Sequence, residues 1–232
     1  MPEPDSKQPA GRSRRRHRIT WWQETLILVA LAVIVSIVVK AFLVQMFYVP
    51  SGSMRPLFVE NDRILVEKVS YWTGDVERGD VVVFSDPGGW LGVAPQPSGL
   101  QGLLSRIGLY PAGGHLVKRV IGVGGDHVVC CDDQGRITVN DVPIDGDAYL
   151  RDGVEASQQP FDVMVPEDRI WVMGDNRSNS QDSRAHQRLP GNGTVPVDEV
   201  VGKVWGIVWP LDRAKVLDDP ETFDNPALTD AP

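Results

Sequence analysis

Fifteen consecutive uncharged residues, Thr25 to Val39, lie between an arginine cluster and Pro50, and no other stretch limits the architecture as much. The run is apolar on all sides, whereas a helix on the surface of a core keeps a polar face. It is short for a bilayer span, which takes about 20 residues at 1.5 Å rise each. It becomes adequate if Lys40 snorkels toward the far interface and the helix continues to about Leu43. Trp21-Trp22 falls where an interfacial aromatic belt is expected, and the arginines before it set the N-terminus in the cytoplasm. A cleavable leader carries a small-x-small triplet just after its apolar core. The only nearby triplet, Ala30-Leu31-Ala32, lies inside the run. The segment therefore reads as an uncleaved anchor. The expected order is a disordered basic cytoplasmic arm (1–20), a single transmembrane signal anchor (21–45), and an extracytoplasmic domain on the cell membrane.

Charge follows this division. Residues 1–20 hold six basic and two acidic residues, a balance of +4, which leaves −12 on the rest of a chain whose net charge is −8. An acidic body lacks the basic working surface of a nucleic-acid binder. Gly122-Val123-Gly124-Gly125-Asp126 lacks the third glycine of a dinucleotide loop and the Gly-Lys-Ser/Thr of a Walker loop, so no nucleotide is expected. The two cysteines, Cys130 and Cys131, are adjacent. Their trans spacing of about 3.8 Å is below the usual disulfide range of about 4.4–6.8 Å, and they read as thiols in a strand. A structural zinc site needs more ligands than two.

After Pro50 the texture is that of a mostly β domain (46–212). Short apolar runs at Ile64–Val66, Val81–Phe84, Leu116–Val123, His127–Cys131, Ile137–Val139, Arg169–Met173 and Val201–Trp209 are separated by turn signals such as Arg78-Gly79-Asp80 and Asp133-Gln134-Gly135. A short helical stretch is expected near Glu67–Trp72. Residues 86–114, rich in Gly and Pro, read as a surface insertion whose Trp90, Leu91, Leu103 and Leu104 either dip into the membrane surface, the slightly favoured reading, or simply pack. The acidic tail, 213–232, is expected to fray.

Pro50-Ser51-Gly52-Ser53-Met54-Arg55-Pro56 places a serine in a turn pinned by prolines, directly after the membrane exit. A serine nucleophile needs a base. Of the four histidines none sits in a recognisable triad pattern, and the G-x-S-x-G elbow is absent. Lysine serves in Ser-Lys variants if burial lowers its pKa. Lys118 lies in Leu116-Val117-Lys118-Arg119-Val120-Ile121, a strand otherwise mostly apolar, where it and Arg119 point to opposite faces. On this stretch alone a solvent-facing Lys-Arg pair remains open. Gly174 to Arg184 (GDNRSNSQDSR) is the densest polar run.

Taken in this order, FYVPSGSMRP, RGDVVVF (78–84), VKRVIGVGGD (117–126) and GDNRSNSQDSR, behind an N-in anchor, resemble the type I signal peptidase family. The resemblance implies a β-rich catalytic domain with a smaller β subdomain, here about 127–167. It implies Ser53 as nucleophile and Lys118 as general base. Ser51 and the Ser53 N–H would form the oxyanion hole, and Ser180 would hydrogen-bond the lysine. Arg119 with Asp175, and Asp182 with Arg184, would be supporting ion pairs. Phe47, Val49, Pro50 and Val117 would line shallow pockets for small side chains. The implied activity is a membrane-bound serine endopeptidase that removes signal peptides from secreted precursors. Its partners would be those precursors and the lipid bilayer, and no cofactor or metal is called for. This sequence departs from the family pattern at Leu57-Phe58, Leu116 and Ser178, and the 86–114 insertion has no assignable counterpart. The alternatives are another Ser-Lys protease or a tethered β-domain that binds without catalysis.

Overall fold

The computed structural model describes residues 20–38, 43–69, 71, 74–92 and 114–228. The chain forms two compact units, Met1–Val38 and Val39–Pro232. In the first, helix α1 runs from Trp21 to Val38. The Gln23 side chain accepts from the Thr20 N–H at 3.0 Å, half of a capping box. Leu26, Ile27, Leu28, Val29, Leu31, Val33, Ile34 and Val35 are all exposed, as the all-round apolar pattern requires. Among the described residues no helix is long and apolar enough to cross a membrane. At 18 residues, α1 extends about 27 Å. Residues 39–42, with Lys40, lie outside the described residues.

The second unit is mostly β. Its strands are β1 (Val44–Tyr48), β2 (Arg63–Glu67), β3 (Val81–Ser85), β4 (His115–Gly122), β5 (His127–Cys130), β6 (Ile137–Val139), β7 (Val142–Pro143), β8 (Phe161–Met164), β9 (Arg169–Met173), β10 (Val195–Pro196), β11 (Val200–Trp209) and β12 (Lys215–Val216). Eight strands make a sheet in the order β1-β2-β11-β3-β4-β9-β10, with β12 also on β11. The other four make a smaller sheet, β7-β6-β5-β8. The adjacent pairs in both sheets are antiparallel. Strand β4 ends in the large sheet at Gly122, and the turn after it leads to β5 of the small sheet. A Cβ on Gly122 would meet Val128 Cγ2 at 2.5 Å, so the close passage needs glycine. Ile121, Trp171 and Met173 of the large sheet and Val128, Val139 and Phe161 of the small one bury a common core. A second core joins Val49, Met54 and Phe58 to Ile64, Val66, Val81 and Val83. A third gathers Val82, Phe84, Trp90, Val120 and Val172.

Several expectations need correction. Val44 and Gln45, assigned to the anchor, pair with Glu67 and Val66 as part of β1. Their apolar neighbours belong to a half-buried edge strand rather than to a continuing helix. Cys130 and Cys131 are joined by a disulfide across a cis peptide, with Cα atoms 3.0 Å apart. The trans spacing on which thiols were expected does not apply there. The tail does not fray up to residue 228. Phe223 and Leu228 are buried in the first core, the apolar minority of an acidic segment finding its place there. Trp90 is also buried and does not face outward. It stacks on His186 at 4.2 Å and packs edge-on to Phe84. Leu103 and Leu104 lie outside the described residues, as do Ser70 and Trp72 of the stretch near Glu67–Trp72, whose Glu67 ends β2.

Candidate active site

Ser53 is carried on a single 3-10 turn, Gly52–Met54, reached directly from β1. Two buried anchors fix this turn. Met54 is 1% exposed and Phe58 0%, each worth about 1.5–3 kcal/mol in buried apolar surface. Behind them the loop closes on itself. Val49 N–H donates to Asp62 O at 2.9 Å, and Asn61 N–H donates to Val49 O at 3.0 Å. The Asp62 carboxylate accepts from Val59 N–H at 2.9 Å and from Arg213 Nε at 3.0 Å. Two apolar insertions and a closed base leave the intervening serine hydroxyl in one position.

Lys118 comes from the middle of β4, between β3 and β9. Its partner on β3 is the fully buried Val82, and Lys118 itself is 4% exposed. Lys118 Nζ and Ser53 Oγ are hydrogen-bonded at 2.8 Å. The amine also donates to Val117 O at 3.0 Å. Burial pushes the lysine pKa down from 10.5 to about 8. The Asp182 and Asp175 charges pull the other way, and Arg184 adds to the fall. A neutral amine has two protons and one lone pair. With one proton on Val117 O, the lone pair can face the serine and take its proton.

The polar run 174–184 closes the site through two bidentate pairs. Arg119 meets Asp175 at 2.9 and 2.7 Å and donates to Gly79 O at 2.8 Å. Arg184 meets Asp182 at 2.9 and 2.7 Å, and Asp182 also accepts from Gly174 N–H at 3.0 Å. Burial works against the Asp182 carboxylate, but Arg184, Gly174 N–H and Ser180 hold its pKa below the usual range. Buried pairs of this kind fix geometry more than they add stability.

Two expected contacts are placed differently. Ser180 makes no hydrogen bond to Lys118. Its Oγ is buried without a hydrogen-bond partner, close enough to Asp182 to favour its charge. The amine is instead oriented by the carbonyl of its own strand neighbour, Val117. Val49 is core, 4% exposed, while Phe47 and Val117 are half-buried and Pro50 is exposed. Ser51 is exposed, its Oγ 3.4 Å from Ser53 Oγ.

Three further residues, without a role in the reading from sequence, hold the serine turn and the polar run. Asn176 donates from its backbone N–H to Ser53 O at 3.0 Å and from Nδ2 to Gly52 O at 2.8 Å. Gly174 passes so close that a Cβ would collide with Ser180 Oγ and reach Ser53 O at 2.5 Å. Arg177, 2% exposed, donates to Ala156 O at 2.6 Å and to Tyr149 Oη at 2.7 Å, tying the run to the small-sheet segment. All three stand inside the run GDNRSNSQDSR, whose density of polar groups was the available signal.

Known proteins are similar to this chain in sequence. The family model described as signal peptidase, peptidase S26, matches residues 22–209. A signal peptidase I of Mycobacterium tuberculosis is 39% identical over 240 residues, covering 92% of this chain and 79% of the relative. A probable signal peptidase I of Mycobacterium leprae is 35% identical, covering 88% and 81%. A probable signal peptidase I-2 of Synechocystis is 31% identical, covering 90% and 87%.

Proposed function

The chain belongs to the signal peptidase family, peptidase S26, and on that premise we propose that it is a serine endopeptidase that removes signal peptides from secreted precursors. The observation that carries this reading is the 2.8 Å hydrogen bond between Lys118 Nζ and Ser53 Oγ, with the lysine pKa down at about 8. Neutral Lys118 takes the Ser53 proton, and Oγ attacks the carbonyl of the scissile bond. The Ser53 N–H and the Ser51 hydroxyl hold the oxyanion, each such donor being worth about 3–4 kcal/mol. Lys118 passes its proton to the leaving amine, and water, activated by the same lysine, hydrolyses the acyl-enzyme. Asp175 with Arg119 and Asp182 with Arg184 hold the strand and loop in register. Phe47, Pro50 and Val117 meet the small side chains before the cut, with Val49 beneath them.

The all-round exposure of the apolar residues of α1 supports a second element of the proposal. Residues 21 to about 43 form a single-pass anchor with the N-terminus in the cytoplasm. Anchor and substrate leader then share one bilayer, which raises their effective concentration. The test is cleavage of a purified precursor by wild type, Ser53→Ala and Lys118→Ala, each checked for folding by circular dichroism. Both variants are expected to be folded and inactive. Substantial cleavage by either would remove its residue from the mechanism.

A further inference from the structure

The serine turn is tied to the polar run through Asn176, which gives its backbone N–H to Ser53 O at 3.0 Å and its Nδ2 to Gly52 O at 2.8 Å. Its two neighbours in sequence, Asp175 and Arg177, are each 2% exposed and held from within the fold. Asp175 is gripped by the Arg119 guanidinium at 2.9 and 2.7 Å. Arg177 donates to Ala156 O at 2.6 Å and to Tyr149 Oη at 2.7 Å.

Tyr149 meets both of these grips. Arg119 Cζ lies over its ring, 4.8 Å from the centroid, and Arg177 Cζ lies 5.5 Å from it. Both are within the distance of about 6 Å at which an aromatic face attracts a cation. The tyrosine is itself braced. It caps the 3-10 turn Gly146–Ala148, with its N–H on Gly146 O at 3.1 Å. At the head of that turn Asp145 N–H donates to Thr222 Oγ1 of the tail at 2.8 Å. Phe223, the next tail residue and 8% exposed, sets its ring 5.7 Å from that of Tyr149. The Phe223 ring also packs against Gly79, where an added Cβ would meet it at 3.0 Å, and Gly79 O accepts from Arg119 at 2.8 Å. The small-sheet segment and the tail thus converge on one aromatic ring, and the ring on two arginines.

We propose that Tyr149 is a positioning residue for the cleavage reaction: it holds Arg119 and Arg177, these fix the residues on either side of Asn176, and Asn176 sets the Ser53 turn against Lys118. The inference rests on the proteolytic reading with Ser53 as nucleophile. It gives the small-sheet segment and the tail a part in the rate, exerted through three intervening side chains rather than by contact with substrate.

The test uses the full chain in detergent micelles with a purified precursor, each variant checked for folding by circular dichroism. Wild type that fails to cleave, or Ser53→Ala that cleaves, would overturn the proteolytic reading and this inference with it. Tyr149→Leu is expected to lower kcat about thirtyfold with KM changed by less than about twofold, as loss of orientation does. Tyr149→Phe keeps the ring beside both guanidiniums and loses only the acceptor for Arg177, so it should recover most of that loss and stay within about threefold of wild type. The decisive readout is a double-mutant cycle with Asn176→Ala, which alone should cost about tenfold. Because the tyrosine acts through Asn176, the double variant should be no slower than Tyr149→Leu alone, whereas independent effects would multiply to about 300-fold. A folded Tyr149→Leu with wild-type kcat, a loss confined to KM, or effects that multiply would each overturn the proposal and leave the proteolytic reading standing. Should Tyr149→Leu fail to fold, Tyr149→Phe decides in its place. Its loss of about threefold should vanish on the Asn176→Ala background, and no loss at all, or one that persists there, refutes the role.

Discussion

Replacing Lys118 by methionine should make the protein more stable at neutral pH while removing its activity. The lysine pKa falls from 10.5 to about 8 in the fold, which corresponds to a penalty of about 3.4 kcal/mol on the charged form at 1.36 kcal/mol per unit. Below pH 8 the amine is protonated in both folded and unfolded chains, and the fold bears the whole penalty. Between 8 and 10.5 the unfolded chain holds a proton that the native one lacks, so wild-type stability rises with pH through that window. Methionine is similar in length and carries no charge, so the penalty disappears. The hydrogen bonds to Ser53 Oγ and Val117 O go with it, at about 1 kcal/mol each. The balance favours the variant by about 1–2 kcal/mol at pH 7, or about 3–6 °C in Tm. It reverses above about pH 9, where the remaining penalty drops below the lost hydrogen bonds. The assay is thermal unfolding of wild type and variant from pH 6 to 11, with Ser53→Ala as a control that keeps the lysine. Contributions from other titrating groups cancel in the difference. Parallel curves, or a Lys118→Met variant less stable at pH 7, would refute the reasoning.

The same burial sets the catalytic pH profile. In wild type kcat/KM should rise about tenfold per pH unit below 8 and level off above it, because the proton must leave Lys118 first. Asp182→Asn should move that limb to lower pH, since the Asp182 charge raises the lysine pKa. An unchanged or alkaline-shifted limb in a folded variant rejects the assignment. Asn176→Ala removes the bond to Gly52 O and should lower kcat about tenfold with KM little changed, as loss of orientation does. Steady-state kinetics on a precursor peptide decide it. Gly174→Ala pushes Ser180 and Ser53 apart and should lower labelling by a serine-reactive acylating probe more than about a hundredfold. Labelling near the wild-type rate would show that the contact is dispensable.

How much of this was legible in the sequence depends on the range of the signal. Strand β4 could be read because Lys118 and Arg119 interrupt an apolar run that has a strand's length, with turn residues on both sides. Strand β1 could not, because VQMFY follows the anchor without a polar break, and only its pairing with Arg63–Glu67 separates it. Within GDNRSNSQDSR the composition announced a polar loop. Which of its side chains turn inward depends on partners the local sequence does not show, such as Gly52, 124 residues away, for Asn176. Ser180 shows the limit of carrying a role over from a family pattern: its position matched, but the hydroxyl is not on the lysine. The tail misled for a compositional reason. Its acidic residues dominate the average, while Phe223 and Leu228 decide where it goes.

The two reacting groups are mounted on parts of very different stiffness. The amine is fixed to an interior strand, clasped by neighbours on both sides. The hydroxyl follows the outermost strand, β1, which among the described residues pairs with β2 alone. Edge pairings open at lower free energy than the interior of a sheet. Peeling β1 away would therefore loosen the approach to the serine turn, which Met54 and Phe58 still hold to the core, while leaving the base in place. Activity would then fade on warming before the protein unfolds, and a substrate that adds pairing to this rim would tighten the machinery it is about to meet.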